Sequence, residues 1–160
     1  MSQAAGIPDA VIAGMDTDYQ PPAPSSDMIR ERTADSANRK IDRLTRGAIA
    51  EVEDSPNLIR ERLAELDREW NVDRALMANF AIAGAISGGL AMRSLRRTGR
   101  LGGWGKLFWV QMSFLLHHAV RGWCPPMPVM RRLGFRSPRE ICAERCALEH
   151  RLMELTGSIR

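Results

Sequence analysis

The residues best suited to chemistry are three cysteines and three histidines. The densest group lies in "HHAVRGWCPPMPVM", residues 117–130, where two histidines close an apolar run and Cys124-Pro125 follows. A thiolate at a membrane boundary can accept sulfane sulfur or ligate haem iron axially, with the proline holding it outward. The same residues read as a helix stop, because Pro125 and Pro126 offer no N–H and bias the preceding residue away from helix. On that reading Cys124 is a boundary residue whose loss costs little. His117 and His118 are adjacent, so on a helix they diverge by about 100° and share one metal poorly. His118 lies on one face with Gln111 and Leu115. An interfacial or hydrogen-bonded histidine is the expectation, with Asn79 or Ser87 of the other apolar run as partner.

Cys142, Cys146 and His150 recur at four-residue steps. Two thiolates at that spacing can share a zinc ion, but a structural site takes four ligands. The further donors are Cys124 and a remote histidine, so small apolar residues on a helix edge are the plainer reading. The sequence holds no phosphate loop, no Ser/His/Asp constellation and no carboxylate pair in an apolar setting. No catalytic residue and no cofactor is assigned, and an enzyme is not expected.

The elements that must position these residues change character along the chain. Residues 1–26 lack a period and contain Pro21, Pro22 and Pro24, which reads as a disordered tail. In 27–70, Ala34, Ala37, Ile41, Leu44, Ala48 and Val52 recur at helical steps through one amphipathic helix. Ser55-Pro56 starts a second helix, with a seam of Ile59, Leu63, Leu66 and Trp70. One of these helices is expected to cover the other.

Residues 75–92 carry no charge, and as a helix they reach roughly 27 Å, just short of a bilayer core. A basic loop, "RSLRRTGRLGGWGK", leads to a second uncharged run over 107–120. That run is short for a span, but its flanks extend it. Trp104 and Trp123 are spaced to sit at opposite interfaces, roughly 28 Å apart on a helix, and Lys106 and Arg121 can snorkel beside them. Gly84 and Gly88 form a G-x-x-x-G pair, with Ala81, Ala85 and Gly89 as a small-residue stripe beside it. In lipid such residues let helices pack closely, within the chain or in a homo-oligomer. After the prolines, Ser137, Pro138 and Glu140 spell a capping box that opens a C-terminal amphipathic helix over 137–160. Its apolar face is Ile141, Leu148, Leu152 and Leu155, with Cys142, Cys146 and Met153 at the edge.

The segment from Asn71 to Gly134 resembles the YgaP-like inner-membrane transmembrane domain family. The resemblance is carried by "NVDR" (71–74), two apolar helices on a short loop, "GWCP" (122–125) and "LG" (133–134). Residues 121–148 are similar to a proteobacterial branch of it, although the step from Cys-Pro to Leu-Gly is longer here. The resemblance implies a bacterial inner-membrane anchor or assembly module. Some members add a rhodanese domain, whose catalytic cysteine sits in an arginine-rich loop of an α/β fold. Residues 1–70 show neither, so sulfurtransferase activity does not carry over.

The charge balance is 23 Lys+Arg against 19 Asp+Glu, a net charge of +4, too weak to imply nucleic acid without a clustered patch. The expected protein is all-α: a short transmembrane hairpin over 71–136, flanked by amphipathic helices, with the lipid bilayer as its partner. The N-terminus shows no signal peptide, which favours cytoplasmic termini and reduced thiols. Two alternatives stay open. One is a membrane-edge carrier of sulfur, metal or haem acting through Cys124, and the other is a soluble helical bundle.

Overall fold

The computed structural model describes residues 18–157, and within them every regular element is helical. After a 3-10 turn at Pro24–Ser26 come α1 (Met28–Glu31), α2 (Asp35–Ala50), α3 (Pro56–Leu66), α4 (Val72–Thr98), α5 (Gly102–Arg121), α6 (Met127–Arg132) and α7 (Pro138–Thr156). The helices α4 and α5 form a long hairpin. The others make a cap around the end of the hairpin where α4 begins and α5 finishes.

The hairpin is bounded by side-chain and glycine signals. Asn71 Oδ1 accepts the Arg74 N–H at 2.8 Å and opens α4, and Asp73 adds an acid to the first turn. Gly99 closes it in the left-handed region at φ 69°, its N–H bonded to the Leu95 carbonyl at 2.9 Å. The basic stretch 93–106 expected as the loop is therefore mostly helix, and the link is only residues 99–101. Nothing in 93–98 breaks a helix, and arginine is a good helix former.

Two apolar clusters hold the cap. Ile59 and Leu66 of α3 pack with Ala147 and Leu148 of α7, with Ile49 of α2, and with Tyr19. The seam on α3 thus lies along α7, where covering by α2 was expected, and Trp70 at its end is exposed. Tyr19 is 2% exposed and packs into this cluster, while most of the residues around it in 18–26 are exposed; residues 1–17 of the expected tail lie outside the described residues. The second cluster joins Ile29, Val72, Leu76, Phe80, Cys124 and Met127, and so seats the hairpin on α1 and α6.

The single helix expected from 27 onward is two. Asp27 accepts the N–H groups of Ile29 and Arg30, while Thr33 and Asn38 side chains take the carbonyls of Ile29 and Arg30. Local side-chain bonds of this kind compete with a continuing helix. The buried face of α2 also differs from the alanine stripe. It is Asn38, Ile41, Asp42, Thr45 and Ile49, and Leu44 is 48% exposed. Polar residues face inward there because they meet buried arginines. At the other end of the cap the expected capping box is complete: Ser137 Oγ accepts the Glu140 N–H, and the Glu140 carboxylate accepts the Ser137 N–H.

Candidate functional site: the apolar hairpin and its charged cap

Inside the hairpin, two of the five small residues, Gly84 and Gly88, lie against α5. A methyl group at Gly84 would touch Met112 at 3.5 Å, and one at Gly88 would press on the Phe108 ring at 3.3 Å. Both glycines are thus spent on the contact between α4 and α5. Ala81, Ala85 and Gly89 remain on the outside. Ser87 donates to Gln111 Oε1 at 2.8 Å across the hairpin, a polar tie within an apolar pair.

The outer surface of the hairpin is apolar on both helices. Ile82 and Ile86 of α4 and Trp109, Leu116 and Val120 of α5 are each more than half exposed. Scattered apolar residues are ordinary on a protein surface, but large ones gathered on both helices of one hairpin mark an interaction surface. Among the described residues one helix, α4, is long and apolar enough to cross a membrane, and α5 is not. Only 33% of the most apolar stretch of α4 is buried inside the protein, whereas the core helix of a soluble bundle is mostly buried. Trp104 and Lys106 are exposed at the start of α5 and Arg121 at its end. Trp123 lies half-buried beyond it, with the Arg32 guanidinium 5.2 Å from its ring centre.

At the seat of the hairpin the histidine pair divides. His118 is buried with Nε2 3.7 Å from Asp73 Oδ1, so its partner is that acid; Ser87 is engaged elsewhere and Asn79 is exposed. His117 is exposed and meets Trp123 edge-on. Cys124 is fully buried among Val72, Leu76, Phe80 and Met127. Burial pushes its thiol up, against a smaller opposing effect of the Met127 N–H. The prolines are not what stops α5. Gly122 stops it at φ 66°, with its N–H on the His118 carbonyl at 2.7 Å, and Pro126 then stands at the start of α6.

Sequence reading missed a buried ionic network that ties five elements of the cap together. The Arg30 guanidinium grips Asp42 with two hydrogen bonds of 2.8 Å and reaches Glu140 Oε1 at 2.5 Å. Arg131 takes both oxygens of the same Glu140 and also donates to Asn38 Oδ1 at 2.8 Å. One turn further along α7, Glu144 is shared by Arg136 and Arg62, and Arg136 also holds Glu69 bidentately. Burial alone would penalise the Glu140 charge. The hydrogen bonds and charge of Arg131, helped by the Ser137 N–H and Arg30, outweigh it and hold this carboxyl below its ordinary range. The available signal was register: Glu140 and Glu144 fall on the same face of α7 as Ala147 and Leu148, and that face is buried.

The Cys142, Cys146 and His150 stripe stays on the surface of α7. His150 Nδ1 instead lies 3.0 Å from Asp18 and 3.7 Å from Glu154, all three exposed, and Glu154 also pairs with Arg151. These are surface polar contacts, and no thiol joins them.

No family model, no curated protein and no solved structure matches this chain. Its resemblance to the YgaP-like domain therefore stands on the short motifs in 71–134. The hairpin and its cap have to be interpreted from their own physics.

Proposed function

We propose that this chain is a membrane anchor or assembly module without catalysis of its own: the α4–α5 hairpin enters the bilayer, and the cap stays outside it as a rigid helical body. The observation that carries this reading is the apolar belt exposed on both hairpin helices, on a helix long enough to span. The cap supports it from the other side. Its charged residues are tied to one another, so the seat of the hairpin is a firm structure and not a loose tail. The bacterial inner membrane, with both termini in the cytoplasm, is the location that this reading and the YgaP-like motifs favour. The thiol-carrier alternative gains nothing from Cys124, which is closed off from solvent and held protonated by burial.

Fractionation of the expressed full chain tests the proposal. It should pellet with membranes and resist alkaline carbonate extraction. A protein that is soluble and monodisperse without detergent would establish the helical-bundle alternative. Orientation is read separately, with single cysteines in a cysteine-free background. Ser94→Cys at the hairpin tip should react with an impermeant reagent in intact cells while Gln20→Cys does not. The reverse pattern would invert the protein in the membrane.

A further inference from the structure

We infer that the tip of the hairpin is a binding surface for the anionic headgroups of membrane phospholipids. The inference rests on the membrane reading above and adds the class of lipid. From Arg74 to Arg139 the chain contains no Asp or Glu. Within that stretch Arg93, Arg96, Arg97, Arg100 and Lys106 all lie at the end of the hairpin away from the cap, and all are exposed. None of the five is in an ion pair with a carboxylate among the described residues.

The contrast with the cap is chemical. There Arg30, Arg131 and Arg136 are buried and each is neutralised by at least one carboxylate. At the tip the positive charge is left uncompensated, and it is also held in place. Gly99 and Gly102 both adopt the left-handed region, so the three-residue link brings the last turns of α4 against the first turn of α5. The Ser94 hydroxyl donates to the Arg100 carbonyl at 2.9 Å and the Thr98 hydroxyl to the same carbonyl at 3.4 Å, which pins the turn. Leu101, Trp104 and Leu107 are exposed among these cations. Guanidinium groups beside a tryptophan and leucines suit the boundary between acyl chains and phosphates. Each cation held near an anionic bilayer adds to the attraction, and a purely zwitterionic surface offers no such gain.

The test is competitive reconstitution of the full-length protein. Detergent is removed in the presence of equal amounts of two vesicle populations, one of phosphatidylcholine and one of phosphatidylcholine mixed with phosphatidylglycerol. Flotation then reads the distribution. The native chain should favour the anionic vesicles, and added salt should weaken that preference. The variant R96Q/R97Q/R100Q should lose roughly fivefold of the preference per charge removed. The cap variant R39Q/K40Q, which removes two exposed cations away from the tip, should keep it. Equal distribution of the native chain, or an unchanged preference in the triple variant, would overturn the inference while leaving the anchor standing. Failure to enter either population would bring down the membrane reading itself. Transfer of the protein from anionic vesicles to a soluble single-stranded RNA would overturn the inference in favour of a nucleic-acid surface.

Discussion

Arg131 and Glu140 form a two-pronged ion pair to which water has no access: their nitrogen–oxygen distances are 2.5 and 2.7 Å and both side chains are fully buried. Such a pair adds little over well-packed apolar residues of the same shape, because both charges had to be desolvated. Its geometry instead makes each partner indispensable to the other. Glu140→Ala would strand Arg131 and leave Arg30 with Asp42 alone. The expected loss is roughly 3–5 kcal/mol, against under about 1 kcal/mol for Glu65→Ala on the exposed side of α3. Denaturant unfolding followed by circular dichroism measures both, and equal small losses would show that the network is not a structural keystone.

The same carboxylate sets an acid limit. Its folded value lies below the ordinary 4.5, so the folded state holds fewer protons than the unfolded chain as the pH falls through that region. The stabilisation is therefore full above pH 4.5 and drains away below it, as the pH approaches the lower folded value. The contribution of this carboxylate to the unfolding free energy should be constant above that point and fall beneath it. Glu140→Gln, though less stable throughout, should show a shallower acid slope; an unchanged slope would assign the acid transition to other groups.

Tyr19 sets the alkaline limit, and it is the single tyrosine. Desolvation first, and then the nearby Asp42 and Glu140 charges, raise its phenol well above the ordinary 10.0. Its hydroxyl has no hydrogen-bond partner among the described residues. With a raised folded value the contribution is complete below pH 10 and is lost as the pH climbs past it, since only the unfolded chain releases the proton. Tyrosinate absorbance should therefore appear together with the loss of helix in an alkaline titration. Ionisation near pH 10 in a still-folded protein would mean that residues around 19 do not pack onto α7.

The hairpin and the charged cap differed in how far they could be foreseen from sequence, and the reason is physical. A run without charge over 75–92 has few conformations open to it, so the apolar body of α4 follows from local chemistry, while its extension through 93–98 to Gly99 does not. The capping box at Ser137 is local in the same way. The network is not. Arg30 reaches Glu140 across 110 positions and Arg131 reaches Asn38 across 93, so an arginine that looks solvated in its own helix is buried by distant elements. The stripe read on α2 includes the buried Ile41 but missed its polar neighbours for the same reason, because Asn38, Asp42 and Thr45 face arginines supplied by α1, α6 and the turn before α7.

Gly88 and Gly89 are neighbours with different surroundings. A Cβ at Gly88 meets the Phe108 ring at 3.3 Å, while one at Gly89 meets nothing within 4 Å. Gly88→Leu should pry the hairpin apart and cost about 1–3 kcal/mol. Gly89→Ala should be neutral or slightly stabilising, since alanine is the better helix former. Thermal unfolding in detergent compares the two. A damaging Gly89→Ala with an unaffected Gly88→Leu would move the close helix contact to the outer stripe, between copies of the chain.

The stretch around Cys124 yields a prediction opposite to the one its prolines suggest. If Pro125 and Pro126 ended α5, replacing them would let the helix run on and Cys124 would tolerate change. The structure places the stop at Gly122, whose φ of 66° penalises any side chain. Gly122→Ala should cost roughly 1–2 kcal/mol, and the exposed Pro125→Ala only about 0.4–1 kcal/mol, through the freedom gained by the unfolded chain. Cys124→Ser puts a hydroxyl among Val72, Leu76 and Met127 with no acceptor arranged for it, at a cost of about 1–3 kcal/mol. Alkylation of the native protein gives an independent reading, because Cys142 and Cys146 are exposed and Cys124 is not. Two thiols should react promptly and the third only after unfolding. A Cys124 that reacts first in the folded protein, together with a bound metal or haem lost in Cys124→Ser, would open the seat of the hairpin and restore the carrier function.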